Sequence, residues 1–372
     1  MIDAPRVIVI GGGIFGLTAT IALAEAGYDV VVLERDDDVM SGASFVNQNR
    51  LHLGYHYPRS LATARETILG SHSFREYYGA ATVHELVTYY AIAAEGSRTS
   101  PEAFAAFCDA ANLPLEPAWP PSGVVDRDRL AACWRTPEPI FDFHELRRIV
   151  IDRVVANPLA TVRRRAQVVG IDVDEPHRVT LRSGEVLEAD VVVNATYAQI
   201  RNIEALFGRR GGDLEFELCL MAVLSHADPG PPFGVTIMDG PFGSLVPKGR
   251  ERGRFLLYDV ERSVLQRLVS PVAPEWGHVV GFPELEMIES CSEYFPILRA
   301  MHFDQSLVTT RTVIPYRDHD DARPTLLETV APGVFSIFSG KLTTCVTLAH
   351  QLVDELALAG IAPAGPMTGV AR

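Results

Sequence analysis

The chain has 372 residues, of which 47% are hydrophobic and 22% are charged, and its formal net charge is −14. This length exceeds what one hydrophobic core usually supports, so we expect two domains or one interrupted domain. The negative charge opposes binding to nucleic acid, and no apolar run approaches the roughly 20 residues of a spanning helix, so we expect neither a nucleic-acid partner nor an integral membrane segment.

The N-terminal sequence and the cysteines suggest a compartment. MIDAPRVIVIGGG has neither the basic region nor the long apolar region of a signal peptide, which predicts a cytoplasmic protein. The five cysteines are scattered and include no CxxC pair. They are therefore expected to be reduced packing residues, and neither a disulfide framework nor a metal site is expected.

A strand, a glycine turn and a helix open the chain. The run RVIVI at 6–10 leads into three glycines, IFGLTATIALAEAG shows helical spacing up to Gly27, and YDVVVLERD supplies a second buried strand. A βαβ unit of this kind predicts a parallel sheet at the N-terminus.

The turn of this βαβ unit fits the GxGxxG pattern, and an acidic residue ends the second strand. Its six residues are Gly11, Gly12, Gly13, Ile14, Phe15 and Gly16, and Glu34 follows 23 residues after Gly11. The glycines permit a tight turn and close approach of a pyrophosphate, while Glu34 can accept hydrogen bonds from a ribose. The pattern predicts a dinucleotide site but does not distinguish FAD from NAD.

The middle of the chain changes character twice. Residues 86–144 are irregular and resemble an insertion, whereas HELRRIVIDRVVAN is helical and VVVNAT is another buried strand of the parallel type. Residues 206–315 alternate strands and turns before a helical stretch, PELEMIESCSEYFPILRAM, which predicts an antiparallel sheet in a second domain. GVFSIFSGK and LTTCVTLAHQLVDELALAG then predict a last strand, a turn and a closing helix.

Several of these segments together resemble the D-amino-acid oxidase superfamily of FAD-dependent oxidoreductases. They are the N-terminal βαβ unit, Gly42-Ala43-Ser44, the loop NQNRLHLGYHYPRS at 47–60, VVVNAT and the final strand, turn and helix. Within that superfamily, His52-x-Gly54-x-x-Tyr57 is similar to a motif of L-2-hydroxyglutarate dehydrogenases, and FSGKLTT resembles a turn of FAD-linked glycerol-3-phosphate dehydrogenases.

The resemblance implies an α/β fold. It consists of a Rossmann-like FAD-binding domain with a parallel sheet, discontinuous in sequence, and an α+β substrate domain built on an antiparallel sheet. We expect the first domain to comprise residues 1–85, 139–205 and 322–372, and the second to comprise 86–138 and 206–321.

The resemblance also implies what the aromatic loop does. It brings Ser44 and Asn47 near FAD and His52 to Tyr57 near its ring system, where a histidine is suited to proton transfer near neutral pH. His52 and His56 lie four residues apart, but Gly54 and Pro58 disfavour the helix that a metal site of this spacing would need. Asn49-Arg50 and Tyr55-His56 have no counterpart in the hydroxyglutarate enzymes, so their substrate is not carried over.

Gly340-Lys341 suggests a phosphate loop, but Leu342 occupies the Ser/Thr position of GxxxxGK[ST], so a nucleoside triphosphatase is rejected. The resemblance instead directs this turn toward the flavin, where Lys341, Thr343, Thr344 and free helix amides would stabilise negative charge. The alternative is an ordinary helix start with a solvated lysine.

Arg311 is a candidate for binding a substrate carboxylate, since a planar guanidinium holds a carboxylate through two hydrogen bonds. Arg323 is a rival position, and an arginine that faces water is the plain alternative. Asn194-Ala195-Thr196 matches a glycosylation sequon, but it ends a buried strand. Many family members have glycine after this Ala-Thr, whereas this chain has Tyr197.

Three functions are compatible with these observations. We favour an FAD-dependent oxidase or dehydrogenase that moves a hydride from a C–H next to a hydroxyl or amine of a small polar substrate, with FAD bound noncovalently and the electron acceptor open between oxygen, a quinone and a protein. The alternatives are a flavoprotein isomerase or mutase on a sugar nucleotide, and an NAD-dependent dehydrogenase or noncatalytic nucleotide sensor.

The candidate site residues form two groups. The catalytic candidates are His52, Tyr57, Arg311 and Lys341. The cofactor candidates are Gly11, Gly13, Ile14, Phe15, Gly16, Glu34, Arg35, Ser44, Asn47, Ala195, Thr196, Gly340, Lys341, Leu342, Thr343 and Thr344.

Overall fold

A computed structural model describes residues 4–281, 283–315 and 325–363 of the protein. The first half of the chain contains β1 (Arg6–Ile10), α1 (Ile14–Glu25), β2 (Asp29–Leu33), α2 (Leu61–Tyr78), β3 (Thr82–Val83), β4 (Val87–Ala93), α3 (Pro101–Ala110), β5 (Glu116–Pro117), β6 (Leu130–Thr136), β7 (Ile140–Phe141), α4 (Phe143–Ala156), β8 (Ala160–Arg163), β9 (Val168–Asp172), β10 (His177–Leu181) and β11 (Val186–Ala189).

The second half contains β12 (Val191–Asn194), α5 (Ile200–Ala205), β13 (Leu214–Ser225), β14 (Phe233–Met238), β15 (Gly243–Pro247), β16 (Arg254–Asp259), β17 (Val264–Ser270), α6 (Pro283–Cys291), β18 (His302–Val313), β19 (Thr325–Ala331), β20 (Val334–Ser339) and α7 (Cys345–Leu358). No helix among the described residues is both long enough and apolar enough to cross a membrane.

A six-stranded sheet carries the N-terminal βαβ unit. Its strand order is β19-β20-β12-β1-β2-β8, and all its pairs are parallel except the one between β19 and β20. Val9 lies in register with Val32 on one side and Val193 on the other, and all three are fully buried. The α/β fold with a discontinuous parallel sheet is thus confirmed.

Both faces of this sheet are covered, as a parallel sheet requires. On one face α1 packs beside α7, and residues of α2 and α4 complete the apolar layer. On the other face lies the small antiparallel sheet β11-β10-β9. The core residues of α1 are mostly small or aliphatic and are buried on almost every side, so this helix is fixed between its neighbours.

The second large sheet has nine strands. They follow the order β17-β13-β16-β15-β14-β4-β6-β5, with β18 also paired to β13, and most pairs are antiparallel. One face packs against α6, where Met287 and Cys291 are buried. The opposite face contacts Phe45 and Val46, so it looks toward the loop that follows β2.

Two elements differ from the sequence-based expectation. The stretch from Pro283 is not one helix, because α6 ends at Cys291 and Pro296 begins a separate 3-10 turn. The 18-residue helix α2 was not foreseen, since its buried side consists largely of small and polar residues. The Ser60 side chain caps it by accepting a hydrogen bond from the Thr63 amide.

Candidate active site

The glycine turn brings three distant segments together. Gly11 has φ +105°, and a Cβ at this position would lie 2.8 Å from the Ala195 carbonyl oxygen. A Cβ on Gly16 would lie 1.9 Å from the Gly11 carbonyl oxygen. Both positions therefore require glycine, because the ends of β1 and β12 and the start of α1 share a space with no room for a side chain.

The first turn of α1 fits an anionic group. It contains no acidic residue, and Gly13 at its N-cap provides no capping side chain. The Ser44 hydroxyl accepts a hydrogen bond from the Ile14 amide at 2.9 Å, and a Cβ on Gly13 would lie 3.3 Å from it. A helix N-terminus with no acidic side chain and a neighbouring hydroxyl has the chemistry that binds a pyrophosphate.

The acidic residue at the end of β2 contacts the glycine turn. The Glu34 carboxylate accepts hydrogen bonds from the Gly12 amide at 2.8 Å and the Asp36 amide at 2.9 Å, so it is fixed against the glycine turn. Arg35 next to it is largely exposed and forms an ion pair with Asp36 at 3.7 Å. Hydrogen bonds thus connect the glycine turn and the start of α1 to Glu34 and Ser44.

The aromatic loop is held in place by backbone contacts with β7. Asn47 donates to the Ser44 carbonyl at 2.8 Å and accepts from the Asn49 amide, while Asn49, at φ +55°, accepts from the Phe141 amide. Gly54 has φ +109° and lies close to Ala64 at the start of α2. These turns explain why the loop follows neither a helical nor a strand period.

The rings of this loop gather in one cluster. The His52 and His56 rings stack with centroids 5.2 Å apart, and the Tyr57 ring lies edge-on to both. Tyr55 instead donates a hydrogen bond to the Pro114 carbonyl at 2.6 Å, and Arg59 binds Asp239 at 2.9 Å. Tyr55 and Arg59 therefore anchor the loop.

A buried charged group lies behind His52. The Arg50 and Glu138 side chains are 2% and 0% exposed, and Arg50 Nη2 lies 2.7 Å from Glu138 Oε1. The Tyr90 hydroxyl donates to the same carboxylate at 2.8 Å, and His52 Nδ1 lies 3.5 Å from it. Glu138 was not among the predicted site residues, because it lies 86 residues after His52 in an irregular segment.

The pKa values of Glu138 and Tyr90 are shifted in opposite directions. Desolvation alone would raise the pKa of the Glu138 carboxyl, but the Arg50 guanidinium, the His52 ring and the Leu53 amide together hold that pKa well below its usual range. Burial raises the pKa of the Tyr90 hydroxyl well above its ordinary value. Glu138 is therefore a carboxylate and Tyr90 a neutral donor near neutral pH.

Lys341 is not a solvated lysine. Its side chain is 2% exposed, and its Nζ lies 2.6 Å from a Glu66 oxygen on α2. The Thr344 hydroxyl donates a hydrogen bond to the Lys341 carbonyl at 2.8 Å, so the hydroxyl proton of Thr344 is already engaged within the turn. Thr343 is buried, and Gly340 is exposed with no atom within 4 Å of an added Cβ. Leu342 starts the short turn that leads into α7.

Tyr197 adopts a backbone conformation that favours glycine, with φ +51°. Its ring stacks on Phe338, and its hydroxyl accepts a hydrogen bond from the Thr312 amide at 3.0 Å. The preceding Thr196 hydroxyl donates to the Asn194 side chain at 2.7 Å. The tyrosine side chain is thus directed toward β18.

Arg311 lies on β18 opposite Glu217 of β13. Its Nε donates to the Glu217 carboxylate, and its guanidinium carbon lies 5.9 Å from the centre of the Tyr258 ring. Glu217 also accepts from Arg267 at 2.8 Å. Arg311 is therefore engaged with protein carboxylate and does not simply face water. The rival Arg323 lies outside the described residues.

The comparisons with known proteins identify the family. The model of the FAD-dependent oxidoreductase family DAO matches residues 6–353. The chain therefore belongs to this family, which decides for FAD and against the NAD alternative. The FAD-dependent monooxygenase FPY4 of Fusarium mangiferae is 25% identical over 359 residues, covering 94% of this chain and 90% of FPY4.

Solved structures show the same fold. Glycine oxidase from Geobacillus kaustophilus aligns with a TM-score of 0.73 and 15% identity over 95% of each chain. L-alpha-glycerophosphate oxidase from Mycoplasma pneumoniae with FAD bound aligns with a TM-score of 0.77 and 14% identity over 96% of this chain and 95% of that one. At these identities the likeness describes the fold and leaves the substrate open.

Proposed function

We propose that this FAD-dependent oxidoreductase oxidises a C–H bond next to a hydroxyl or an amine of a small polar substrate. One observation carries the proposal: the His52 side chain is 25% exposed next to the buried ion pair of Arg50 and Glu138, whose side chains are 2% and 0% exposed. An accessible imidazole on a rigid, charged support is suited to take a proton from a bound substrate.

The chain offers two groups of contacts for the cofactor. The glycine turn, Ser44 and Glu34 would hold the pyrophosphate and ribose, and the turn from Gly340 to Thr343 would lie toward the flavin. Lys341 would add positive charge there. FAD, when bound, supplies the acceptor for the hydride that leaves the substrate carbon.

The substrate would bind between the aromatic loop and the nine-stranded sheet. We propose that residues 86–138 and 206–321 form the substrate domain and that 1–85, 139–205 and 322–372 form the FAD domain, with the junction at 321–322 outside the described residues. Arg311 would orient a substrate oxygen with the N–H groups not given to Glu217, and Tyr57 would line the same space.

The proton balance depends on the substrate. For an alcohol, the hydroxyl proton passes to His52 as the hydride leaves the carbon, and a carbonyl product remains. For an amine bound in its neutral form, hydride loss gives an iminium product directly, so no base is needed. Removing His52 should therefore slow alcohol oxidation far more than amine oxidation.

The experiment is anaerobic bleaching of the yellow holoprotein by hydroxy acids, amino acids, polyol phosphates and amino sugars. A substrate bleaches the flavin, and His52→Asn slows bleaching by an alcohol by about 10²–10⁴-fold, the usual contribution of a positioned base, without loss of bound flavin. His72→Asn is the matched control, because His72 is 65% exposed on α2.

Two results would count against this proposal. Equal bleaching rates for His52→Asn and wild type with an alcohol would remove His52 from the chemistry. A yellow protein that none of these compounds reduces, but that interconverts a sugar nucleotide, would favour the isomerase alternative. For a substrate that does bleach the flavin, reoxidation of the reduced protein by oxygen, a quinone or a protein acceptor would identify its electron acceptor.

A further inference from the structure

Helix α2 packs on two segments of the candidate site. Its first turn lies against the aromatic loop, because a Cβ on Gly54 would be 3.2 Å from the Ala64 side chain. Further along the helix, a Cβ on Gly70 would be 3.2 Å from the Thr344 side chain and 3.3 Å from the Thr343 carbonyl oxygen. The same helix therefore supports the aromatic loop and the turn that leads into α7.

The face of α2 that meets this turn also carries an acidic residue. Glu66 and Gly70 are four residues apart, so they lie on one face of the helix. The close approach at Gly70 brings the Glu66 carboxylate within reach of Lys341, and Glu66 Oε2 lies 2.6 Å from Lys341 Nζ. The Lys341 side chain is 2% exposed and that of Glu66 is 39% exposed. The cation is thus held inside the fold, and its anionic partner stands at the surface.

An ammonium paired with a carboxylate acts on its surroundings differently from an ammonium alone. At distances well beyond their separation, the fields of two opposite charges largely cancel. A positive charge close to a flavin favours the reduced form, because reduction adds negative charge to the ring system. The carboxylate of Glu66 therefore weakens the effect that the Lys341 charge has on such a group.

We infer that Glu66 is a positioning residue that holds the Lys341 ammonium at this turn and offsets its charge, so that the pair sets the reduction potential of the bound flavin. The inference rests on the proposed function for the place of the turn next to the flavin. It identifies Glu66, a residue of a helix with no recognisable motif, as part of the cofactor environment.

The test is the midpoint potential of the FAD-loaded protein at pH 7, measured by spectroelectrochemical titration, which needs no substrate. Glu66→Gln keeps the shape of the side chain and removes the negative charge. At a fixed electrode potential its ratio of reduced to oxidised flavin should rise about threefold or more, a shift of roughly 15 mV for a two-electron couple. Lys341→Met should shift the potential in the opposite direction. The double variant Glu66→Gln/Lys341→Met removes both charges and should lie between the two single variants.

Two further variants separate the charge of Glu66 from other effects. Glu76→Gln makes the same charge change on the same helix, but Glu76 is 69% exposed and lies ten residues further on, roughly 15 Å along the helix axis. At this distance salt screens an exposed charge, so the potential should stay as in wild type. Glu66→Asp keeps the charge, and its potential should lie closer to that of wild type than the potential of Glu66→Gln does.

The results also separate this inference from the proposed function. A folded Glu66→Gln protein whose potential equals that of wild type, or falls as in Lys341→Met, overturns the inference. If Lys341→Met has no effect either, the turn lies away from the flavin and the inference fails, while bleaching by substrates still decides the proposed oxidation. If no compound bleaches the flavin but the potentials follow the expected order, the proposed function is wrong and the role of Glu66 stands.

Discussion

Gly16→Ala tests whether the approach of α1 to β1 creates the cofactor site. The added Cβ would lie 1.9 Å from the Gly11 carbonyl oxygen, whereas real Cβ atoms essentially never come closer than 3.0 Å, so the two must separate by 1.1 Å. Both partners are backbone, and no side-chain rotation relieves the contact. Overpacking of this kind costs about 1–3 kcal/mol, and we expect the upper end because the start of α1 must move away from the strand.

This movement separates the amides and Ser44 that would hold the pyrophosphate. A loss of about 3 kcal/mol in the free energy of FAD binding corresponds to roughly 100-fold weaker binding. The assay is the ratio of flavin to protein absorbance after dialysis, followed by titration with FAD and by urea unfolding. Gly42→Ala is the control, since its Cβ would meet no atom within 4 Å and its φ is ordinary. Gly16→Ala with wild-type affinity and stability would refute the reasoning.

Three further predictions concern other parts of the molecule. Lys341→Met should lower the reduction potential of the bound flavin by roughly 30 mV, the two-electron equivalent of about 1.4 kcal/mol, because a positive charge is lost. Spectroelectrochemical titration measures this potential. An unchanged potential would show that Lys341 only supports the fold. Tyr197→Phe should lower the free energy of unfolding by about 1–3 kcal/mol in urea, because the buried Thr312 amide loses its acceptor, and full stability would contradict this. Ionised Glu138 stabilises the fold fully above the ordinary carboxyl pKa, and this stabilisation is lost as pH falls below it, because the pKa of Glu138 is lower in the folded than in the unfolded protein. The free energy of unfolding in urea should therefore fall more steeply between pH 6 and pH 3.5 in wild type than in Glu138→Gln. Equal slopes of unfolding free energy against pH would contradict this.

The parallel sheet was predictable because its strands carry local signals. The runs ending at Ile10, Leu33 and Asn194 are continuous and apolar, and a strand buried on both faces needs no partner-specific information to be recognised. Helix α2 was not recognised because its buried side includes Thr63, Thr67 and Ser71. These residues are buried by neighbours distant in sequence, and their own pattern is not apolar.

The candidate site likewise contains one part with a local sequence signal and one part that depends on tertiary packing. The glycine turn is a local motif, and its geometry agrees with the jobs expected of each glycine. Glu138 comes from a stretch with no motif, and its meeting with His52 depends on how β4, β7 and the aromatic loop pack. A buried carboxylate has no sequence signal of its own, so only tertiary structure reveals it.

The order of strands in the six-stranded sheet has a consequence for biosynthesis. Its central strand β1 lies between β2 and β12, and β12 in turn pairs with β20, near the end of the described chain. Helix α7, which packs on α1, follows later still. Contacts between segments so far apart form slowly, because the long intervening chain must first be closed. On the ribosome, the sheet around the glycine turn therefore stays incomplete until β20 and α7 have been synthesised, and the apolar strands β1 and β2 lack part of their packing during that interval.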